Sequence, residues 1–375
     1  MAATALQLRS TVTENQTLVL ALEDVSIPEP GPDDVLVKVE AAPINPSDLA
    51  LLLGPADISS GRVDGSAERP VVTFDIPAEA MPLVAARVGQ SLPVGNEGAG
   101  TVVGAGSSEL AQSLMGKTVG IFGGETFGQY RCVPAFLCLE LQEDTTAVEG
   151  ASCVVNPLTA LAMVETLHME GHQALIHTAA ASNLGQMLNR ICRADGVDLI
   201  NIVRKPEQVG ILEDLGARYI VNSTDDDFHA KLTAAIQETG ATLAYDATGG
   251  GKLANQVMTC MENAAASTMT EYNRYGSDTY KQLYIYGRLD LTPTVLTLNY
   301  GFSWGIGGFL LTHFLQKVGL EKVSVLRDRV AREIKTTFAS HYSQEVSLVG
   351  ALELASIREY NRKATGDKFL LKPWD

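Results

Sequence analysis

The chain has 375 residues, 46% of them apolar and 19% charged, with a formal net charge of −16. That length exceeds one ordinary core and predicts two domains of a globular protein. The excess of acid argues against nucleic acid and against an anionic membrane surface as partners, because phosphate-rich surfaces are bound by concentrated Lys and Arg.

Residues 1–50 alternate like antiparallel strands, with Val35-Leu-Val-Lys-Val-Glu40 the clearest, preceded by the turn-rich Pro28-Glu-Pro-Gly-Pro32. The first twenty residues carry Arg9 and Glu14 and lack the apolar run of a signal peptide, so no export is expected. Gly95-Asn-Glu-Gly-Ala-Gly100 leads into Thr101-Val-Val103, and Met115-Gly-Lys-Thr-Val-Gly120 into further short strands, a pattern that suggests a compact β-barrel. From Asn156 the pattern changes. Helix 157–168, strand 174–177, a helix to Ala194, strand 199–203, helix 206–215, strand 219–221, helix 228–239 and strand 242–246 alternate as a parallel sheet with crossover helices requires. Residues 301–315 form the longest apolar stretch, but Ser303, Thr312 and His313 interrupt it and it falls short of the roughly 20 residues of a membrane span. It reads as a buried strand and helix at a subunit contact. The five cysteines, Cys132, Cys138, Cys153, Cys192 and Cys260, are odd in number and contain no Cys-x-x-Cys. Neither a disulfide framework nor a zinc knuckle is indicated, and a reducing cytoplasm fits.

The second half is organised around Ala174-Leu-Ile-His-Thr-Ala-Ala-Ala-Ser-Asn-Leu-Gly-Gln-Met-Leu-Asn-Arg190. Ala174 to His177 is short and apolar, whereas Leu184, Leu188 and Ile191 recur at helical spacing, so a strand gives way to a helix across a turn of small residues. A helix starting there directs backbone N–H groups and the positive end of its dipole at whatever lies in front, and pyrophosphate is the usual occupant. Ala180, Ser182 and Gly185 occupy the three glycine positions of the dinucleotide fingerprint G-x-G-x-x-G, so the match is imperfect. The next strand, Leu199-Ile-Asn-Ile-Val203, ends in Arg204-Lys205-Pro206. An NAD-selective unit places an acid there for the ribose 2′-hydroxyl, whereas a 2′-phosphate calls for positive charge. Arg204 and Lys205 therefore favour NADPH, the alternative being that both are merely solvated.

Taken together, Glu29-Pro-Gly-Pro32, Asn45-Pro-Ser-Asp48, Gly95-Asn-Glu-Gly-Ala-Gly100, Gly116-Lys-Thr-Val119, Asn156-Pro-Leu-Thr-Ala160, the turn at Ala180 to Gly185, Asp246-Ala-Thr-Gly-Gly250 and Ala364-Thr-Gly-Asp-Lys-Phe-Leu-Leu371 follow the order seen in medium-chain dehydrogenases/reductases. The chain resembles that superfamily over nearly its full length, and within it the zinc-free quinone oxidoreductase branch. The resemblance implies an α/β fold. A GroES-like β-barrel domain covers residues 1–155, completed by about 316–375, and a Rossmann domain with a doubly wound parallel sheet covers 156–315.

The zinc-dependent members hold their catalytic metal with Cys and His at places where this chain has Asn45, Asn96 and Asn156. Carboxamides are poor zinc ligands beside thiolate or imidazole, so no metal is expected. His168 and His172, with Gly171 between them, read as ordinary end-of-helix residues. The resemblance puts Asn45 and Asn156 beside the nicotinamide, where their amides orient cofactor or substrate; the alternative is that they cap turns. It assigns Ala181, Ser182, Asn183, Leu184 and Gly185 to the pyrophosphate, Arg204 and Lys205 to the 2′-phosphate, and Thr159 to the nicotinamide ribose. Gly249 and Gly287 are strand-end positions at the carboxyl edge of the sheet. Lys363 sits where this branch often reaches the adenosine phosphate, and Tyr219 either stacks on adenine or belongs to the core.

Two segments exceed the family pattern. Residues 54–92, with a possible helix at 78–88, and residues 265–281, with Tyr272, Tyr275 and Tyr280, are lids, partner contacts or plain surface excursions. The implied activity is NADPH-dependent, metal-independent hydride transfer to a small-molecule acceptor, a quinone or an α,β-unsaturated carbonyl compound, by a cytoplasmic homodimer. An enoyl-thioester reductase is the second reading, because Leu199-Ile-Asn-Ile-Val-Arg204 resembles the corresponding strand of the mitochondrial enoyl reductases. Against it, Leu49-Ala-Leu-Leu-Leu-Gly54 lacks the tyrosine that those enzymes place after Asn-Pro-Ser-Asp. The third is a non-catalytic NADPH-binding sensor or crystallin-like protein.

Overall fold

The computed structural model describes residues 3–366 and 368–375; Asp367, within the Ala364–Leu371 motif, lies outside the described residues. The chain forms two compact units, one running to Val155 and resuming at Arg327–Asp375, the other Asn156–Leu326.

The first unit is built on period-two alternation. β1 (Thr4–Val12), β2 (Thr17–Ser26) and β3 (Asp34–Pro43) each turn one set of side chains inward. Leu18 and Leu20 of β2, and Val35, Val37 and Val39 of β3, are fully buried. A helical turn, α1 (Leu49–Leu52), follows, then β4 (Asp57–Gly65) and β5 (Pro70–Asp75). These two strands lie in the segment that exceeds the family pattern. β5 pairs antiparallel with β2, from Thr17 opposite Asp75 to Ala21 opposite Val71, so the insertion lengthens a sheet and buries Val72 and Phe74. The helix expected at 78–88 is corrected to two 3-10 turns, Ala78–Leu83 and Ala85–Arg87. Pro82 lies inside the first, and without an N–H it cannot support a regular α-helix.

β6 (Ser91–Pro93), β7 (Glu97–Ala105), helix α2 (Glu109–Ser113), β8 (Thr118–Phe122), β9 (Tyr130–Pro134), β10 (Leu139–Glu140) and the capped turn α3 (Ala147–Gly150) complete the first part of this unit. One sheet has the order β4-β5-β2-β1-β6.

The second unit alternates strand and helix: α4 (Val155–Glu170, its first residue in the other unit), β11 (Ala174–His177), α5 (Asn183–Asp195), β12 (Asp198–Val203), α6 (Pro206–Asp214), β13 (Tyr219–Asn222), α7 (Phe228–Thr239), β14 (Leu243–Asp246), α8 (Leu253–Ala266), β15 (Lys281–Ile285), β16 (Trp304–Gly308) and α9 (Leu311–Glu333), the last interrupted at Gly319 and ending in the first unit. All neighbouring strands are parallel, in the order β13-β12-β11-β14-β15-β16. This is the doubly wound order, with its reversal between β11 and β14. Ile176, Ile200, Ile202, Val221 and Leu283 pack with Leu232, Val257 and Met258 in a core on one side.

The chain returns to the first unit through β17 (Gln344–Val346), α10 (Leu354–Asn361) and β18 (Phe369–Leu371). β18 pairs antiparallel with β3, extending a second sheet β10-β8-β7-β3-β18-β17 to which β9 adds on β3. Phe369 and Leu371 join Val35, Val37 and Phe74 in one core. The fold is a GroES-like β domain plus a Rossmann domain. No helix among the described residues is long and apolar enough to cross a membrane.

Candidate active site

In the second unit, the turn after β11 is shaped by small residues. Ala180 and Ala181 are buried, and Ala179 adopts a left-handed φ of 53°. Ser182 caps α5, its hydroxyl accepting the Gly185 N–H at 3.2 Å. Gly185 is required by contact: a Cβ there would lie 2.2 Å from the Ala180 carbonyl oxygen. The helix start thus abuts the strand end, with Asn183 and Leu184 in its first turn. Arg204 and Lys205 follow the carboxyl end of β12, and both are exposed.

Beyond β14, Asp246 is fully buried and organises the next loop. One carboxylate oxygen accepts the Thr178 hydroxyl and the Thr248 N–H, both at 2.8 Å, and the other accepts the Gly249 N–H at 3.0 Å. Thr178 in turn accepts the Ala247 N–H. Gly249 has φ 77°, and a Cβ there would sit 2.7 Å from the Gly287 carbonyl oxygen. Gly249 and Gly287 therefore lie together at the carboxyl edge. Thr159 is buried one turn into α4, and Asn156 is half-buried in its first turn.

Tyr219 is not brought to this edge. It is the first residue of β13, at the amino end of the sheet, its hydroxyl donates to Glu238 at 2.9 Å, and the Arg218 guanidinium lies 4.8 Å over its ring. Since ligands of open parallel sheets bind beyond the carboxyl ends, the expectation that it stacks on adenine is corrected: it is a core residue. Lys363 belongs to the first unit, just after α10, with φ 51°.

In the first unit Asn45 lies in a buried polar cluster. Its Nδ2 donates to Glu97 Oε1 at 2.9 Å, while its buried Oδ1 has no partner among the described residues. Glu97 Oε2 accepts the backbone N–H groups of Val154 and Val155 at 2.9 and 2.8 Å. Asp48 accepts the N–H of Asn45 at 2.7 Å and of Asn96 at 2.8 Å. The Lys368 ammonium donates to Ser152 at 2.7 Å, and the Tyr342 hydroxyl is 3.0 Å from the same oxygen. Burial pushes the Asp48 carboxyl up to about 7 against its two backbone hydrogen bonds, and Glu97 nearby adds to the rise. Burial also raises Glu97 and lowers Lys368 to about 8. Asp48, Glu97 and Lys368 all lie in motifs visible in the sequence. What was not visible is that the fold gathers them around Asn45.

A model of zinc-binding dehydrogenases matches residues 183–272, a segment that contains none of Asn45, Asn96 and Asn156. Mouse prostaglandin reductase-3 is 27% identical over 229 residues, 60% of this chain and 52% of that protein. The mitochondrial enoyl-[acyl-carrier-protein] reductase of Caenorhabditis elegans is 27% identical over 253 residues, 65% of this chain and 64% of that one. The chain thus spans about half to two thirds of the curated relatives it matches. Among solved structures, a candidate NADPH:quinone reductase of Mesorhizobium loti superposes with a TM-score of 0.73 at 25% identity, covering 100% of this chain and 99% of that one. Another, from Bacillus thuringiensis, gives 0.74 at 18% identity, with 100% of both chains covered. The chain is thus similar to medium-chain dehydrogenases/reductases, through a zinc-binding-dehydrogenase segment at residues 183–272 and through quinone-reductase-like structural neighbours.

Proposed function

We propose that this protein is an NADPH-dependent, metal-independent oxidoreductase that transfers hydride to quinones or α,β-unsaturated carbonyl compounds. The observation that carries the cofactor is the exposed pair Arg204 and Lys205 just past β12, where an NAD-selective unit has an acid. The cradle fits a dinucleotide: Gly185 leaves no room for a Cβ, and Ser182 to Gly185 start a helix whose positive end suits a pyrophosphate. Replacing Arg204 and Lys205 together by Gln is expected to weaken NADPH about tenfold or more per lost charged hydrogen bond to phosphate, with NADH unaffected. Unchanged NADPH affinity in calorimetry would contradict the assignment.

NADPH, when bound, supplies the hydride; the chain supplies position and exclusion of water. Carboxamides at positions 45, 96 and 156 are poor ligands for a Lewis-acid metal, so the favoured acceptor is already electron-poor and its developing oxyanion needs only hydrogen bonds. Asn45 and Asn156 are proposed to orient cofactor or acceptor. That no described residue donates to the buried Oδ1 of Asn45 supports this, since a buried acceptor without a donor is costly and calls for an explanation. The five free cysteines agree with a reducing cytoplasm. A homodimer is the proposed assembly, with the exposed Phe302 and Leu310 of the apolar stretch at the contact; sedimentation as a monomer at micromolar concentration would reject it. Reduction of an enoyl thioester is the second reading, favoured by the likeness to mitochondrial enoyl reductases.

A further inference from the structure

His177, the last residue of β11, is fully buried, and its Nε2 lies 2.6 Å from the hydroxyl of Tyr286, which directly follows β15. The two rings stack at 5.7 Å with an interplanar angle of 23°. Tyr286 is also pinned through its backbone, its N–H donating to the Asp246 carbonyl at 3.0 Å. The other imidazole nitrogen, Nδ1, is buried with no partner among the described residues. A buried nitrogen of this kind calls for an explanation, and the contact with Tyr286 fixes the ring's other edge.

The protonation chemistry narrows what the pair does. Burial pushes the imidazole down to about 3 and the Tyr286 phenol well above its ordinary value. Both groups stay neutral at any working pH, so they form a fixed dipole rather than a proton relay. The tautomer decides what the hydroxyl has left to offer. When it donates to Nε2 its oxygen lone pairs remain, and when it accepts from Nε2–H its proton remains. A primary carboxamide carries both an N–H donor and a C=O acceptor and matches either state.

The sheet order says which end of a dinucleotide meets this hydroxyl. Arg204 and Lys205 follow β12 and the small-residue turn follows β11, so a molecule with its 2′-phosphate at the former and its pyrophosphate at the latter continues over β14 and β15. Tyr286 ends that path, two strand spacings or roughly 10 Å from β11. Resting on the NADPH reading above, we propose that Tyr286, held by His177, is a cofactor-positioning residue whose hydroxyl hydrogen-bonds the carboxamide of the nicotinamide.

The test compares two ligands by isothermal titration calorimetry: NADPH and 2′,5′-ADP, which has the phosphorylated adenosine half and no nicotinamide. Wild type, Y286F, H177L and H177Q are titrated with each, after thermal melts show that they fold. Y286F and H177L are expected to bind NADPH about five- to tenfold more weakly, the loss of one hydrogen bond, with 2′,5′-ADP affinity unchanged. H177Q, which keeps a polar partner for the hydroxyl, is expected to recover most of that loss. Equal weakening of both ligands, unchanged NADPH affinity in Y286F, or no recovery in H177Q would each overturn the inference. Failure of the wild type to bind either ligand would remove the NADPH reading itself.

Discussion

The two units each bury carboxylates, and they treat them differently. In the second unit Glu262 is paired with a buried lysine: one oxygen accepts the Ser277 N–H at 2.7 Å, and the other accepts the Ser277 hydroxyl and the Lys281 ammonium, both at 2.6 Å. Lys281, fully buried, spends a further hydrogen bond on the Thr279 carbonyl. Burial pushes the Glu262 carboxyl up, but the hydrogen bonds from Lys281 and Ser277 outweigh it and leave the carboxyl below its ordinary value. In the other unit burial wins at Asp48 and Glu97, and no described residue donates to Asn45 Oδ1. The lysine-paired cluster is an anchor, here fastening residues 277–281 to α8. The other leaves its carboxylates raised by burial.

The largest expected effect breaks the anchor. Lys281→Met strands the Glu262 carboxylate in the core and should cost about 3–5 kcal/mol of stability, measured by denaturant unfolding; a loss below about 1 kcal/mol would show that Lys281 does not compensate Glu262 as described. A smaller effect is expected of Glu97→Gln, which sets an amide N–H against donors from Asn45, Val154 and Val155. It should lose about 1–3 kcal/mol, and an unchanged unfolding midpoint would contradict the role given to Glu97.

A third effect, spread over pH rather than read at one condition, is on pH dependence. Asp48 keeps its proton in the folded chain up to about 7, whereas the unfolded chain releases it near 3.8. Its contribution to stability is therefore complete below about pH 4 and is lost as pH rises through 7, at up to about 1.4 kcal/mol per pH unit. Asp48→Asn should flatten that part of the stability–pH curve between pH 5 and 7; an identical slope in both proteins would mean that Asp48 is ionised in the fold.

Much of the architecture was legible because it rests on local periodicity. The helix expected at 228–239 is α7, Phe228–Thr239, and the strand expected at 174–177 is β11, Ala174–His177. The helix expected at 78–88 failed through Pro82, whose missing N–H outweighs the apolar spacing around it. The strands β4 and β5 were hidden because their burial depends on pairing with β2, a long-range contact that no local pattern encodes. At the candidate site, the turn and the basic pair were readable through residue type and spacing, and their roles stand as proposed. His177 stood in the most conspicuous stretch and gave no sign of its pairing, because its partner Tyr286 lies 109 positions away. The cluster around Asn45 was hidden for the same reason, Lys368 and Ser152 being 216 positions apart.

The central claim is tested most directly by following NADPH oxidation at 340 nm with a naphthoquinone, an unsaturated aldehyde and a crotonyl thioester, each repeated with NADH. Turnover of the quinone and the aldehyde with NADPH alone is the predicted result. Turnover confined to the thioester, or tight NADPH binding without turnover of any acceptor, would contradict it.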